Sequence, residues 1–226
     1  MQLIFIRHAK SENYEANKRQ DSHSKLGKLG KKQAGLVANR LKKAQEKSGS
    51  GYDMIMSSPW TRAVQTAGII SKKTGLSVSE HPLIHEYLSN SILSNQPLDS
   101  DIVREFTQAV KDKGVNFDWK FRGEGECMRD VINRAITFKK ELLSRHTGKN
   151  IIIVSHGLFI TSFVTLLLLG DNYEDAKFKD VSELIRLENT SITHIVYDET
   201  KKTWEIKSLN DFGHLENKLN SNKLKK

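Results

Sequence analysis

The sequence predicts an α/β fold, a three-layer sandwich with a mostly parallel central sheet flanked by helices. Three observations carry this: short apolar runs of strand length at LIFI, DMIMS and NIIIVS, amphipathic segments of helical period between them, and glycine-containing stops that separate the two kinds of segment.

LIFI is aliphatic and aromatic with polar flanks, so it reads as a buried strand ending at Arg7 and His8. Over residues 30–47, Val37, Leu41 and Ala44 recur at helical spacing while most of the lysines fall elsewhere on the wheel; SGSGYD ends that helix. DMIMS is the second strand. Ser58-Pro59 opens a helix that runs to about Lys73 and stops at Gly75, with the proline near its first turn. LSVSE is the third strand. Residues 81–123 are irregular, punctuated by His-Pro, Ser-Asn and Lys-Gly around one helix at 102–111, and form an insertion or lid. A long helix is expected over 126–145, where Val131, Ala135, Phe138 and Leu142 keep a period near 3.6. NIIIVS, a helix after Gly157 and the strands SITHIVY and TWEIKS around the turn DETKK complete the chain.

The 226 residues, 37% hydrophobic and 28% charged with only 3 prolines, hold enough apolar mass for a substantial core and exclude a collagenous or largely disordered chain. One domain over 1–213 is expected, followed by a basic, flexible tail at 214–226. The stretch 151–170 is long enough to span a bilayer and carries no Asp, Glu, Lys or Arg, but Ser155, His156 and Gly157 interrupt it, favouring a buried strand and helix. With one cysteine, no CxxC pair and no secretory apolar segment at the N-terminus, a reducing, cytoplasmic address follows.

The net charge of +9 is concentrated in residues 1–50, where twelve Lys and Arg face four Asp and Glu. Such a field steers anionic ligands. The tail has no aromatic for base stacking and the basic helix no groove-reading motif, so neither nucleic acid nor membrane is an expected partner.

In folds of this class ligands gather at the carboxyl ends of the strands. Arg7 and His8 follow the first strand, Arg62 the second, and His156 follows IIIVS. Two guanidiniums and two imidazoles converging there make a pocket for a phosphoryl dianion, because arginine offers forked donors matched to phosphate oxygens. An imidazole inside that pocket can also attack phosphorus and divide a difficult transfer to water into two displacements. Other chemistries fail on spacing. A cysteine phosphatase loop needs Arg six positions after Cys; that position from Cys127 is Asn133, so Cys127 reads as a small structural residue. His81 and His85 have helical metal-ligand spacing, but Pro82 lies between them and no third ligand is evident. No metal and no cofactor are expected.

Taken together, Ile6-Arg7-His8, LGKLGKKQA from Leu26, SSPWTRAVQTA from Ser57, the Glu86 region, GECMRDVINR from Gly125, VSHG from Val154 and NTSITHIV from Asn189 resemble the histidine phosphatase superfamily, the phosphoglycerate-mutase-like proteins, over nearly the whole chain. The resemblance implies the corresponding three-layer fold. It implies that His8 is the nucleophile that becomes phosphorylated, that Arg7, Arg62 and His156 bind the phosphoryl group, and that Glu86 is the general acid. A carboxyl beside a phosphate dianion and away from bulk water favours its protonated form, which suits it to protonate a leaving alkoxide and then to take a proton from water.

The sequence departs from the family pattern at Ala9 and Lys10, where Gly and an acidic residue or Gln are usual, and at Cys127, where serine is usual. Tyr14 stands where Asn is frequent; Asn13, one step earlier, is carried as a phosphate ligand. The resemblance implies a metal-independent phosphatase acting on phosphate monoesters. Phosphoglycerate-mutase-type transfer and a non-enzymatic phospholigand-binding module remain as alternatives. The expected partner is a small phosphorylated metabolite, with a phosphoprotein as the other option, and the oligomeric state is open.

Overall fold

The computed structural model describes residues 1–48 and 51–215. Six strands form one sheet: β1 (Gln2–Arg7), β2 (Met54–Ser57), β3 (Val78–Glu80), β4 (Asn150–Ser155), β5 (Ile192–Asp198) and β6 (Thr203–Asp211), in the order β3-β2-β4-β1-β5-β6. The first four in that order run parallel, and β5 and β6 add an antiparallel edge. The helices are α1 (Glu12–Glu15), α2 (Lys28–Ser48), α3 (Thr61–Thr74), α4 (Asp101–Lys113), α5 (Met128–Arg145), α6 (Gly157–Leu169) and α7 (Asp175–Leu184).

Strand alternation explains the continuous apolar runs. Leu3 and Phe5 of β1 with Ile151 and Ile153 of β4 pack on Val131, Ala135, Phe138 and Phe163 of α5 and α6. Ile4 and Ile6 with Ile152 and Val154 face the other way, onto Val37, Leu41, Ala67 and Ile70 of α2 and α3. Strands β1 and β4 are therefore covered on both faces, as the inner strands of parallel sheets are. The 151–170 stretch divides into β4 and α6, whose residues Phe159 to Leu166 are buried against the sheet and α5. Among the described residues no helix is long and apolar enough to cross a membrane.

Several boundaries differ from the sequence expectation. Helix α3 starts at Thr61, with Trp60 as its N-cap, so Pro59 lies outside the first turn; Gly75 ends it in the left-handed region, φ 77°, with its N–H donated to the Ser71 carbonyl. The short α1 and the largely polar α7, whose single buried residue is Phe178, have too little apolar periodicity to be read from sequence. The irregular 81–123 segment contains α4 and three isolated 3₁₀ turns. It is tied to the start of α5 at Gly125, φ 82°, where an added Cβ would meet the Leu88 carbonyl oxygen at 2.3 Å. Of the expected tail, His214 hydrogen-bonds Thr190 and Leu215 donates to the Phe212 carbonyl; residues 216–226 lie outside the described residues.

Sheet register sets the functional end of the molecule. Arg7 of β1 pairs with Ser155 of β4, and Ser57 of β2 pairs with Val154. The residues just beyond, His8, His156 and Ser58, are thereby delivered side by side.

Candidate active site

Backbone hydrogen bonds hold the three strand ends together: His8 N–H donates to the Ser155 carbonyl at 2.8 Å and Ser58 N–H to the Val154 carbonyl at 2.9 Å. From the antiparallel side, Asn189 Nδ2 donates to the His8 carbonyl at 2.9 Å. Thr190, held at φ 63°, donates its N–H to the Arg7 carbonyl. The site therefore rests on strand ends rather than on free loops, which gives it a rigid base.

The side chains form a directed chain. His8 Nδ1–H donates to the Ala9 carbonyl at 2.7 Å, which fixes the tautomer and leaves the Nε2 lone pair to accept from Arg62 Nε at 3.0 Å. Arg62 Nη2 donates to His156 Nδ1 at 3.0 Å, so His156 Nε2 carries the proton and donates to Ser58 Oγ at 2.7 Å. Arg62 Nη1 donates to the Asp21 carbonyl at 2.6 Å. The two imidazole rings lie 4.9 Å apart, and the Arg62 guanidinium sits over the Trp60 ring at 4.8 Å.

Burial, with the Arg62 and Arg7 charges, holds His8 well below the ordinary imidazole pKa; burial, then Arg62, does the same to His156. Burial also lowers Arg62 to about 10, where it remains cationic at neutral pH. A neutral imidazole carries a lone pair free of a proton, the form in which histidine is able to act as a nucleophile. Arg7 donates through Nη1 to the Leu187 carbonyl, while its buried Nε has no partner among the described residues. That unspent donor lies 3.4 Å from where a Cβ on Gly157 would stand, so glycine keeps the approach to it open.

Glu86 enters from the irregular segment. Its two oxygens accept from the backbone N–H groups of Tyr87 at 3.1 Å and of Leu158, in the first turn of α6, at 3.2 Å. Arg134 holds the loop behind it, donating to the Leu83 and His85 carbonyls while its other donors form a bidentate pair with Glu126. Arg7, His8, Arg62 and Glu86 line one cavity of about 240 Å³, and His156 is fully buried behind Arg62.

Asn13 is placed elsewhere. Its amide donates to the Arg19 carbonyl and to Asn95 Oδ1, and it lines a different recess, with Glu12 and Lys18. The Lys10 ammonium lies over the Tyr14 ring at 4.7 Å and is not in the cavity wall. Ala9 is buried without a positive φ, so the backbone there makes no demand for glycine. Cys127 N-caps α5, its N–H donated to Asp130 Oδ2 at 3.0 Å. His81 contacts Glu141 and packs on Phe138, whereas His85 stacks on Trp60, so the two imidazoles face different partners.

The cavity wall also contains Arg19, Gln20, Trp60, Tyr87, Ser89 and Leu158, which the sequence reading did not single out as site residues. Trp60 sits within SSPWTR and Leu158 directly after VSHG, so proximity to the motifs was an available signal for those two. Arg19, Gln20, Tyr87 and Ser89 come from segments without regular period.

The chain is similar in sequence and in fold to known proteins. A probable phosphoglycerate mutase GpmB of Yersinia pestis (strain Pestoides F) is 29% identical over 220 residues, covering 96% of this chain and 95% of that protein. Among solved structures, Bacillus stearothermophilus YhfR superposes with a TM-score of 0.77 at 20% identity, covering 95% of this chain and 99% of the other. Phosphoserine phosphatase from Entamoeba histolytica, solved in complex with 3-phosphoglyceric acid, gives 0.70 at 24% identity, covering 95% and 98%. These structures share the three-layer fold. The model of the histidine phosphatase superfamily (branch 1) matches residues 3–212, and the chain therefore belongs to that superfamily.

Proposed function

We propose that the protein is a metal-independent phosphatase that hydrolyses phosphate monoesters through a phosphohistidine on His8. The observation that supports this most is the state of His8: Nδ1–H is tied to the Ala9 carbonyl, the ring is neutral, and the Nε2 lone pair meets only the Arg62 Nε–H, a donor that an arriving phosphoryl oxygen takes over to free Nε2 for attack.

Nε2 attacks phosphorus as the bond to the ester oxygen breaks, and protonated Glu86 gives its proton to the departing alkoxide. Arg7 and Arg62, supported by His156, neutralise the charge on the equatorial oxygens. Water then attacks the phosphohistidine, Glu86 takes its proton, the P–N bond breaks, and inorganic phosphate leaves. Residues 1–213 act as one domain with 81–123 as its lid over the site. The substrate is a small phosphorylated metabolite, and the setting is the reducing cytoplasm.

The name of the Yersinia relatives favours a second reading, phosphoglycerate-mutase-type transfer, which shares the covalent step. One experiment separates the two. The purified protein is incubated with an aryl phosphate in chelator and, separately, with 3-phosphoglycerate, and quenched samples are searched for an acid-labile phosphoryl adduct. Phosphate release that passes through an adduct and is lost in His8→Ala is the expected result. Conversion of 3-phosphoglycerate to its isomer without phosphate release supports the mutase; no turnover and no adduct from folded protein overturns both.

A further inference from the structure

Beside the reactive cavity lies a second chamber of about 340 Å³, and the two share Arg19, Tyr87 and Leu158 as a common wall. The chamber is roofed by Phe106 and Val110 of α4, by Trp119 from the segment after it, and by Met128 at the start of α5. Its size falls within the range of small-molecule sites, about 300–1,000 Å³, and its mainly apolar and aromatic lining, with Lys113, Lys179 and Glu183 as further charged members, matches the usual character of such sites. At the seam, the Arg19 guanidinium lies 5.1 Å over the Phe106 ring, and its buried Nε has no partner among the described residues. One cation thus faces both compartments, the phosphoryl-binding cavity on one side and aromatic walls on the other.

We propose that the substrate of this enzyme is a phosphate monoester of an alcohol carrying an aromatic ring, with the ring seated in this chamber while the phosphoryl group meets His8, and that Arg19 sets this specificity at the seam. The proposal rests on the phosphatase reading above. The physical reason is selective desolvation. An aromatic body is removed from water against Phe106, Trp119 and Met128, while a small polyol gains nothing from those three walls and has to give up its own hydration to enter.

The test compares esters whose leaving groups are alike, so that reactivity does not stand in for recognition: 2-phenylethyl phosphate against ethyl phosphate, with 3-phosphoglycerate as the polar competitor. The expected result is a kcat/KM for the phenylethyl ester at least about tenfold above that of the ethyl ester, expressed mainly in KM. Val110 is 45% exposed at the rim, so Val110→Asp is compatible with folding; it is expected to reduce that ratio about tenfold. Arg19→Met is expected to raise KM for both esters and to narrow the ratio. Equal kcat/KM for the two alkyl esters, or a preference for 3-phosphoglycerate, with turnover still dependent on His8, overturns this inference and leaves the phosphatase reading standing. Absence of turnover and adduct with every ester removes both.

Discussion

His8 is neutral first because burial disfavours its charged form and then because Arg62 and Arg7 oppose a further positive charge beside them. The protonation state required of the nucleophile is therefore present below the pH at which an exposed histidine would become charged. An NMR titration of the His8 ring is expected to show its inflection below about 6.5, the ordinary imidazole value, and Arg7→Gln is expected to move it upward. An inflection at or above that value contradicts the assignment. At this scale the sequence was most legible for residues at a strand end or a few positions beyond it. Arg7, His8, Arg62 and His156 could be located because strand ends are identified by apolar runs, and sheet register does the rest. Asn13 was not legible in this way. Its amide direction depends on α1, a four-residue turn with no period, and on contacts to Arg19 and Asn95 that no local pattern encodes.

Among the elements, the segment carrying Glu86 depends on α5. Arg134 joins two backbone carbonyls of that segment, Leu83 and His85, to the Glu126 carboxylate, which itself accepts the Leu88 N–H at 2.9 Å. The pair is largely enclosed, with side-chain exposures of 12% and 14%, so removing one member leaves an uncompensated charge. Arg134→Met is expected to lower stability by roughly 3 kcal/mol, measurable by urea unfolding. Arg134 is a positioning residue, and its kinetic effect should follow proton donation. Arg134→Met is expected to slow hydrolysis of an alkyl phosphate, which needs its leaving oxygen protonated, by more than that of an aryl phosphate with a good leaving group. Equal losses on the two esters would show that Glu86 is not the group being positioned. The strands and the long helices were readable from apolar runs and period, but this clamp was not, because it links the loop ahead of α4 to the start and interior of α5 through side-chain geometry.

For the whole molecule, histidines lowered by burial couple folding to pH, with His8, His156 and His214 among them. His8 and His156 are held well below the ordinary value by burial, and His214 is lowered to about 4 by burial and then by Arg40. In the unfolded chain these rings titrate near 6.5. Between the folded and unfolded values the unfolded chain binds more protons, so stability is complete above about 6.5 and is lost as pH falls toward the folded values. Thermal midpoints are expected to drop between pH 7 and pH 5, and His214→Gln is expected to make that slope shallower. An unchanged slope would mean that His214 does not titrate on unfolding. The architecture was legible at this scale because both faces of the sheet are covered, which produces long apolar runs; the same cause gave 151–170 the length of a membrane span, and the break at Ser155, His156 and Gly157 is where β4 turns into α6.

The pairing of Arg7 with Ser155 joins the beginning of the chain to a strand formed only after most of it has been made. His8 is held by the Ser155 carbonyl, and Arg62 bridges His8 to His156. No autonomous fragment lacking either β1 or β4 contains a complete site, and loop closure over that distance is among the slower events of folding. During refolding the assembled pocket is therefore expected to appear only once β1 has joined β4, so that binding of inorganic phosphate reports the longest-range contact of the sheet rather than the collapse of its parts.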